Sequence, residues 1–237
     1  MAPVEREDGT EAVLKIGFPH DEARFESHAL RFLNGDGAVR LLHASDDGFS
    51  LLLERCLPGT DLWSVSEEEG NAVACQVLPR LWREPEPDAP FVFLSDYVAT
   101  WWEDLPNLAV GYEDELVTEV VARGRELVAS QSQQVLLHGD FHPGNVLSAQ
   151  REPWLVIDPK PVVGEPAYDL AQLLFNRSRF LLSSSDPVAV LRQQIEWFAA
   201  ELELDPARIA GWAFVKAFGW ECGPEFVTLF RKTIPTG

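Results

Sequence analysis

The sequence predicts an α+β fold: a small strand-rich lobe first, then a mostly helical remainder. Three observations predict it. Short apolar runs bounded by turn residues fill residues 1–60. Apolar residues at helical spacing dominate from Ser66 onward. One stretch between the later helices, Leu137 to Asp158, breaks that spacing with two short apolar runs set among His, Gly, Asp and Asn.

Taken in order, Val4 to Glu7 reads as a strand that turns at Asp8-Gly9-Thr10 into a second strand, Ala12-Val13-Leu14-Lys15-Ile16. His20 to Asn34 places Phe25, Ala29, Phe32 and Leu33 on one helical face. Val39–His43 and Phe49–Glu54 form a hairpin around Asp46-Asp47-Gly48, because Asp-Gly supplies the positive φ a tight turn requires. Pro58-Gly59 then breaks the chain, and the expected division is residues 1–58 against 59–237. Ser66 with Glu69 is a capping box ahead of Ala72, Val73, Val77, Leu78 and Leu81. Residues 84–90 are a proline-rich connector. Further helices are expected over 95–105, 113–129, 166–177, 186–203, 205–220 and 224–232.

Composition narrows the function. A chain of 237 residues can bury a real core. Its three cysteines, Cys56, Cys75 and Cys222, form no paired motif, so neither a zinc site nor a disulfide framework is expected. Residues 1–8 carry no signal-peptide pattern, and no apolar run reaches membrane-spanning length, so a cytoplasmic protein without a membrane partner is expected. With 38 acidic against 19 basic residues the net charge is −19, which argues against nucleic acid as a partner. The same charge attracts a polycationic small molecule.

Val135-Leu136-Leu137 reads as a strand entering a turn at His138-Gly139-Asp140. Asn145-Val146-Leu147 and Trp154 to Ile157 read as two more strands, with Asp158 at the exit of the second. Asp140, Asn145 and Asp158 thus surround one short hairpin. A carboxylate on a rigid turn can reach a substrate hydroxyl, and an amide oxygen with a second carboxylate are hard ligands suited to Mg²⁺ between nucleotide phosphates. The Asp-x-x-x-x-Asn spacing of Asp140 and Asn145 is that of the protein-kinase catalytic loop, although Ile157-Asp158-Pro159 stands where kinases have Asp-Phe-Gly.

His138-Gly139-Asp140-x-His142-x-x-Asn145 followed by Ile157-Asp158 resembles the aminoglycoside phosphotransferase and choline-kinase-like superfamily. With Pro159-Lys160 and Gly164-Glu165-Pro166-Ala167-Tyr168-Asp169-Leu170-Ala171, it looks most like the streptomycin 6-kinase branch, grouped with aminoglycoside/hydroxyurea antibiotic resistance kinases. The resemblance implies a protein-kinase-like two-lobe fold and an ATP- and Mg²⁺-dependent phosphotransferase acting on a hydroxyl, most simply the streptomycin 6-hydroxyl. It makes Asp140 the base, Asn145 and Asp158 the metal ligands, and Lys15 the lysine on the α/β-phosphates, paired with Glu26 or, in reserve, Glu22. Backbone groups from Glu54 to Cys56 would meet the adenine edge. His138 and His142 would shape the loop, Asp169 would steady it, and Lys160 would meet phosphate or solvent. Glu165, Glu221, Glu225, Trp101 and Trp102 are candidates for a cationic substrate pocket.

Only fourteen residues precede Lys15. A kinase lobe places two strands and a phosphate-covering loop there, so the small lobe is expected to lack its first strand and that loop. Other readings are a kinase for hydroxyurea, a macrolide, methylthioribose or a choline-like alcohol, or a catalytically weak nucleotide-binding protein. A metallophosphoesterase needs histidines and a Gly-Asn-His motif that the chain does not have.

Overall fold

The computed structural model describes residues 1–18, 20, 24–175, 181 and 184–235. The chain divides into two compact units, residues 1–91 with 136–162, and residues 92–135 with 163–237. The N-terminal strands therefore group with the Asp140–Asp158 hairpin, a partition different from the 1–58 and 59–237 division expected from the Pro58-Gly59 break.

The first unit contains a four-stranded antiparallel sheet of β1 (Ala2–Glu5), β2 (Glu11–Ile16), β3 (Leu41–Ala44) and β4 (Ser50–Glu54), in the order β1-β2-β4-β3. The first strand lies two residues earlier than expected. Its turn needs the span Arg6–Thr10, closed by Arg6 N donating to Thr10 O and Gly9 N donating to Arg6 O, with Gly9 at φ 80°. In the β2–β4 register Val13 faces Leu53 and Lys15 faces Leu51. Cross-strand partners share a face, so the alternation puts Lys15 on the same side as a row of apolar residues.

Between β2 and β3 lies helix α1 (Glu26–Leu33). It is shorter than the expected 20–34 helix: Arg24 and Phe25 form a turn, and Asn34 ends it in the left-handed conformation. Residues 21–23, with the reserve candidate Glu22, lie outside the described residues. Helix α2 (Glu67–Leu81) begins as the capping box predicts, Ser66 accepting from Glu69 N at 3.2 Å. After β5 (Val92–Phe93), α3 (Leu94–Glu103), α4 (Leu105–Leu108), α5 (Asp114–Ala129) and β6 (Val135–Leu137), the chain re-enters the first unit. There β7 (Val146–Ser148) and β8 (Trp154–Val156) pair as an antiparallel hairpin, with Val146 opposite Val156. Asn145 belongs to a short 3-10 turn before β7, since Asn145 N bonds His142 O.

The second unit is built around α8 (Pro206–Gly219), in which Ile209 to Phe218 are buried without interruption. A helix buried on every side must be surrounded. It packs on α5, on α6 (Ala167–Phe175), on α7 (Pro187–Leu202) and on α9 (Pro224–Arg231). Residues 176 and 177 of the expected 166–177 helix lie outside the described residues. Trp101 packs on Gly219 and Trp102 on Gly124, each where a Cβ would collide with the indole, so both are fitted into the packing. Glu165, in the bend between β9 (Val162–Gly164) and α6, is buried and receives Arg208 through Nε and Nη2, plus Trp212 Nε1. Trp101, Trp102 and Glu165 are thus structural here.

Removing one partner of a buried ion pair leaves an uncompensated charge. Arg208→Met is therefore expected to destabilise the protein by about 3 kcal/mol, read from the midpoint and slope of urea unfolding, whereas Arg192→Met on an exposed side chain should change little.

Candidate active site

The residues expected to do the chemistry all lie in the first unit. Lys15 projects from β2 toward α1 and the segment after β8. Its Nζ is 2.7 Å from Glu26 Oε2 and 2.6 Å from Asp158 Oδ1. The Lys15 side chain is 13% exposed and Glu26 3%, so this is a shielded contact, not a surface pair. Lys160 Nζ adds a second ammonium at 3.1 Å from the same Asp158 oxygen.

Burial works against charge on Lys15, but Glu26 and Asp158 outweigh it and hold its ammonium above the ordinary lysine range. Burial likewise opposes ionisation of Asp158, yet the bond and charge of Lys15, with those of Lys160, hold its carboxyl below the usual range. Among the described residues Glu26 Oε1 is buried without a hydrogen-bond partner. Buried polar atoms of that kind call for an explanation, and a site that exchanges partners during a reaction supplies one.

The catalytic-loop candidates are tied to Asp158 through the backbone. Asp140 N donates to His138 Nδ1 at 3.3 Å, which makes Nε2 the protonated nitrogen, and Nε2 donates to Ile157 O at 3.0 Å. Ile157 N bonds Asn145 O at 2.9 Å, Asn145 Nδ2 donates to Asp140 O at 3.0 Å, and Lys160 N bonds His138 O at 2.8 Å. His138 thus bridges the loop and the Asp158 segment, and His142 Nδ1 accepts Gly144 N. Gly139, at φ 79°, sits so close to the Lys160 backbone that a Cβ would overlap its carbonyl oxygen. Asp158 itself has φ 56°, a conformation that aspartate tolerates better than most residues and that turns its carboxylate out of the strand line.

A cavity of about 210 Å³ adjoins this cluster. Val13, Val39, Leu53, Leu147 and Ile157 supply apolar walls, and Lys15, Glu26 and Asp158 line it as well. Glu54 and Cys56 border it, so the expected adenine edge is at the pocket. Glu54 N is already bonded to Arg40 O and the Glu54 carboxylate to Arg151, so both groups are engaged within the protein. Burial, with the negative Glu54 beside it, pushes the Cys56 thiol up to about 11, so it is a packing residue there. Asp169 is buried in the first turn of α6, in the second unit.

Asn145 and Asp158 offer an amide oxygen and a carboxylate. Because Asn145 Nδ2 is held by Asp140 O, its Oδ1 remains the atom for a ligand. Mg²⁺ is commonly held by one or two protein oxygens together with phosphate, so the pair fits that ion. Sequence reasoning placed Lys15, Glu26, Asn145 and Asp158 in one region through their motifs. It missed Arg151, which lies in a turn with no motif to mark it.

The aminoglycoside/hydroxyurea antibiotic resistance kinase family pattern matches residues 1–221. A streptomycin 6-kinase of Streptomyces glaucescens is 36% identical over 219 residues, covering 90% of this chain and 71% of that protein. A hydroxyurea phosphotransferase of Kitasatospora aureofaciens is 39% identical over 185 residues, covering 76% and 54%. Among solved structures, aminoglycoside phosphotransferase APH(3'')-Id of Streptomyces rimosus, in complex with ADP and streptomycin, matches with a TM-score of 0.63 at 19% identity and 92% coverage of each chain. That likeness shows a protein-kinase-like α+β fold.

Asp158 has a depressed folded pKa, so its contribution to stability is present above its unfolded value, near 3.8, and is lost as pH falls through the folded value. The stability advantage of wild type over Asp158→Asn should be full well above the unfolded value of 3.8 and shrink as pH falls below it. Urea midpoints of both proteins across that range check it; an advantage that grows toward acid would contradict the pairing.

Proposed function

This chain belongs to the aminoglycoside/hydroxyurea antibiotic resistance kinase family and is a phosphotransferase, and on that premise we propose that it moves the γ-phosphate of ATP, with Mg²⁺, to the 6-hydroxyl of streptomycin. The observation that carries this reading is the ammonium of Lys15 shared between Glu26 and Asp158 at the lip of an apolar pocket. Apolar walls suit a purine, and the charged end suits its phosphates.

In this reading Lys15 binds the α/β-phosphates and Glu26 holds it in line. Asn145 and Asp158 would hold Mg²⁺, which would supply positive charge to the phosphate oxygens. Asp140 accepts the proton of the acceptor hydroxyl as the oxygen attacks phosphorus and the bond to ADP breaks. Phosphoryl transfer asks little covalent help of a protein, so the fixed placement of Asp140 by His138 and Asn145 is its main contribution. The net charge of −19 favours a cationic acceptor, and streptomycin carries basic groups. Hydroxyurea is the second acceptor to test, since the phosphotransferase that names it is among the relatives.

The test is Mg²⁺-dependent ADP release by the purified chain with ATP and streptomycin, followed by phosphorus NMR of the product. Turnover with phosphate on the 6-oxygen is expected. Asp140→Asn should lower kcat by about 10²–10⁴-fold while ADP affinity stays near wild type. Absence of wild-type turnover, or undiminished turnover in Asp140→Asn, would overturn the reading.

A further inference from the structure

Arg151 has no part in the chemistry above, yet its guanidinium uses all five N–H donors. Nε and Nη2 clasp the two oxygens of Glu54 at 2.8 and 3.0 Å. Nη1 donates to Gly35 O at 2.8 Å and to Glu152 Oε1 at 2.5 Å, and Nη2 donates to Ala38 O at 2.9 Å. Glu54 Oε2 also accepts Arg40 N at 2.9 Å. From Glu152 the network continues to Arg80, at 2.6 Å, and from Arg80 Nε to Asp36, at 2.8 Å. One polar clasp therefore joins the end of β4, the β7–β8 turn, α2 and the link between α1 and β3.

Two of the joined segments form the pocket. Glu54 lines it and leads into Arg55 and Cys56, while Val39 lines it one residue beyond Ala38. The same link is the exit of α1, whose first residue is Glu26. The Arg151 and Glu54 side chains are about one-fifth exposed, shielded enough for geometry to matter. Burial opposes charge on Glu54, and Arg151 with the Arg40 amide outweighs it, keeping the carboxyl below its usual range.

We propose that Arg151 is a positioning residue for the nucleotide, holding the pocket rim at Glu54–Cys56 and Val39 and the seat of α1 without touching the ligand. The proposal rests on the kinase reading above. A planar fork is what the arrangement uses: a lysine keeps the charge but cannot clasp both Glu54 oxygens and reach two carbonyls.

The test uses the full chain with Arg151→Lys, Arg151→Met and Glu54→Gln. Calorimetry gives the ADP dissociation constant, steady-state kinetics with streptomycin gives kcat and both KM values, and a thermal scan gives Tm. Arg151→Lys should raise the ADP dissociation constant and the KM for ATP about tenfold, since displacing positioning groups by a fraction of an ångström weakens binding. The change in kcat should stay within about threefold, with the acceptor KM unchanged. Glu54→Gln should shift ATP binding in the same direction. Should Arg151→Met fail to fold, the other two variants decide. A merely structural role predicts a lower Tm with wild-type ADP binding and KM for ATP; that result, or a loss confined to kcat, overturns the proposal. Wild type that fails to bind ADP removes the kinase reading and this inference together, whereas wild-type binding matched by Arg151→Lys removes the positioning role alone.

Discussion

A single ammonium, Lys15 Nζ, organises the site. Moving it out of water is costly unless opposite charge meets it, and Glu26 and Asp158 both do, at 2.7 and 2.6 Å. The two carboxylates come from different elements, a helix start and the exit of a hairpin. The pairing therefore fixes β2, α1 and the post-β8 segment relative to one point. Once that point is set, Val13 on the same face of β2 and its cross-strand partner Leu53 on β4 wall the pocket beside it. Electrostatic need and strand alternation give the same answer, which is why a charged group can border an apolar wall without an unpaired charge.

The second constraint is backbone bracing. His138 uses both ring nitrogens, one on the Asp140 amide and one on the Ile157 carbonyl, so it holds the Asp140 turn and the Asp158 segment at a set distance. Gly139 permits the close passage against Lys160 that a side chain would forbid. Asn145 takes part twice, through its carbonyl to Ile157 and its amide to Asp140. For a reaction whose protein contribution is mainly placement, these bonds have as much claim on activity as the carboxylates they position.

Much of this was legible in the sequence because motifs fix backbone geometry locally. The Ser66 cap, the Asp-Gly turn at 47–48 and the strand bearing Lys15 all depend on neighbours within a few residues. Helix α1 was read too long, since apolar spacing continues through Phe25 while the chain there is already turning. The strands over residues 92–93 and 162–164 were missed because runs that short carry no period. Trp101, Trp102 and Glu165 resembled substrate contacts by type; their glycine and arginine partners lie far away in sequence. Arg151 was invisible for the same reason. Its partners span positions 35 to 152, and nothing in a Gln-Arg-Glu turn announces them.

Charge counting explains why the proposed reaction calls for a metal. Glu26 and Asp158 face Lys15 and Lys160, two formal negative charges against two positive, so the cluster is already balanced. A nucleoside triphosphate adds further negative charge, and the chain around it is acidic overall, at −19. Without an added cation, phosphate oxygens would compete with Glu26 and Asp158 for the two ammonium groups, and any gain there would unpair a buried carboxylate. In the proposed reading Asn145 and Asp158 would hold a divalent ion whose positive charge would offset Asp158, leaving Lys15 for phosphate and Glu26 to align it. In that reading the acidic chain would suit a cationic acceptor, while the positive charge the nucleotide needs would be concentrated at Lys15, Lys160 and the ion.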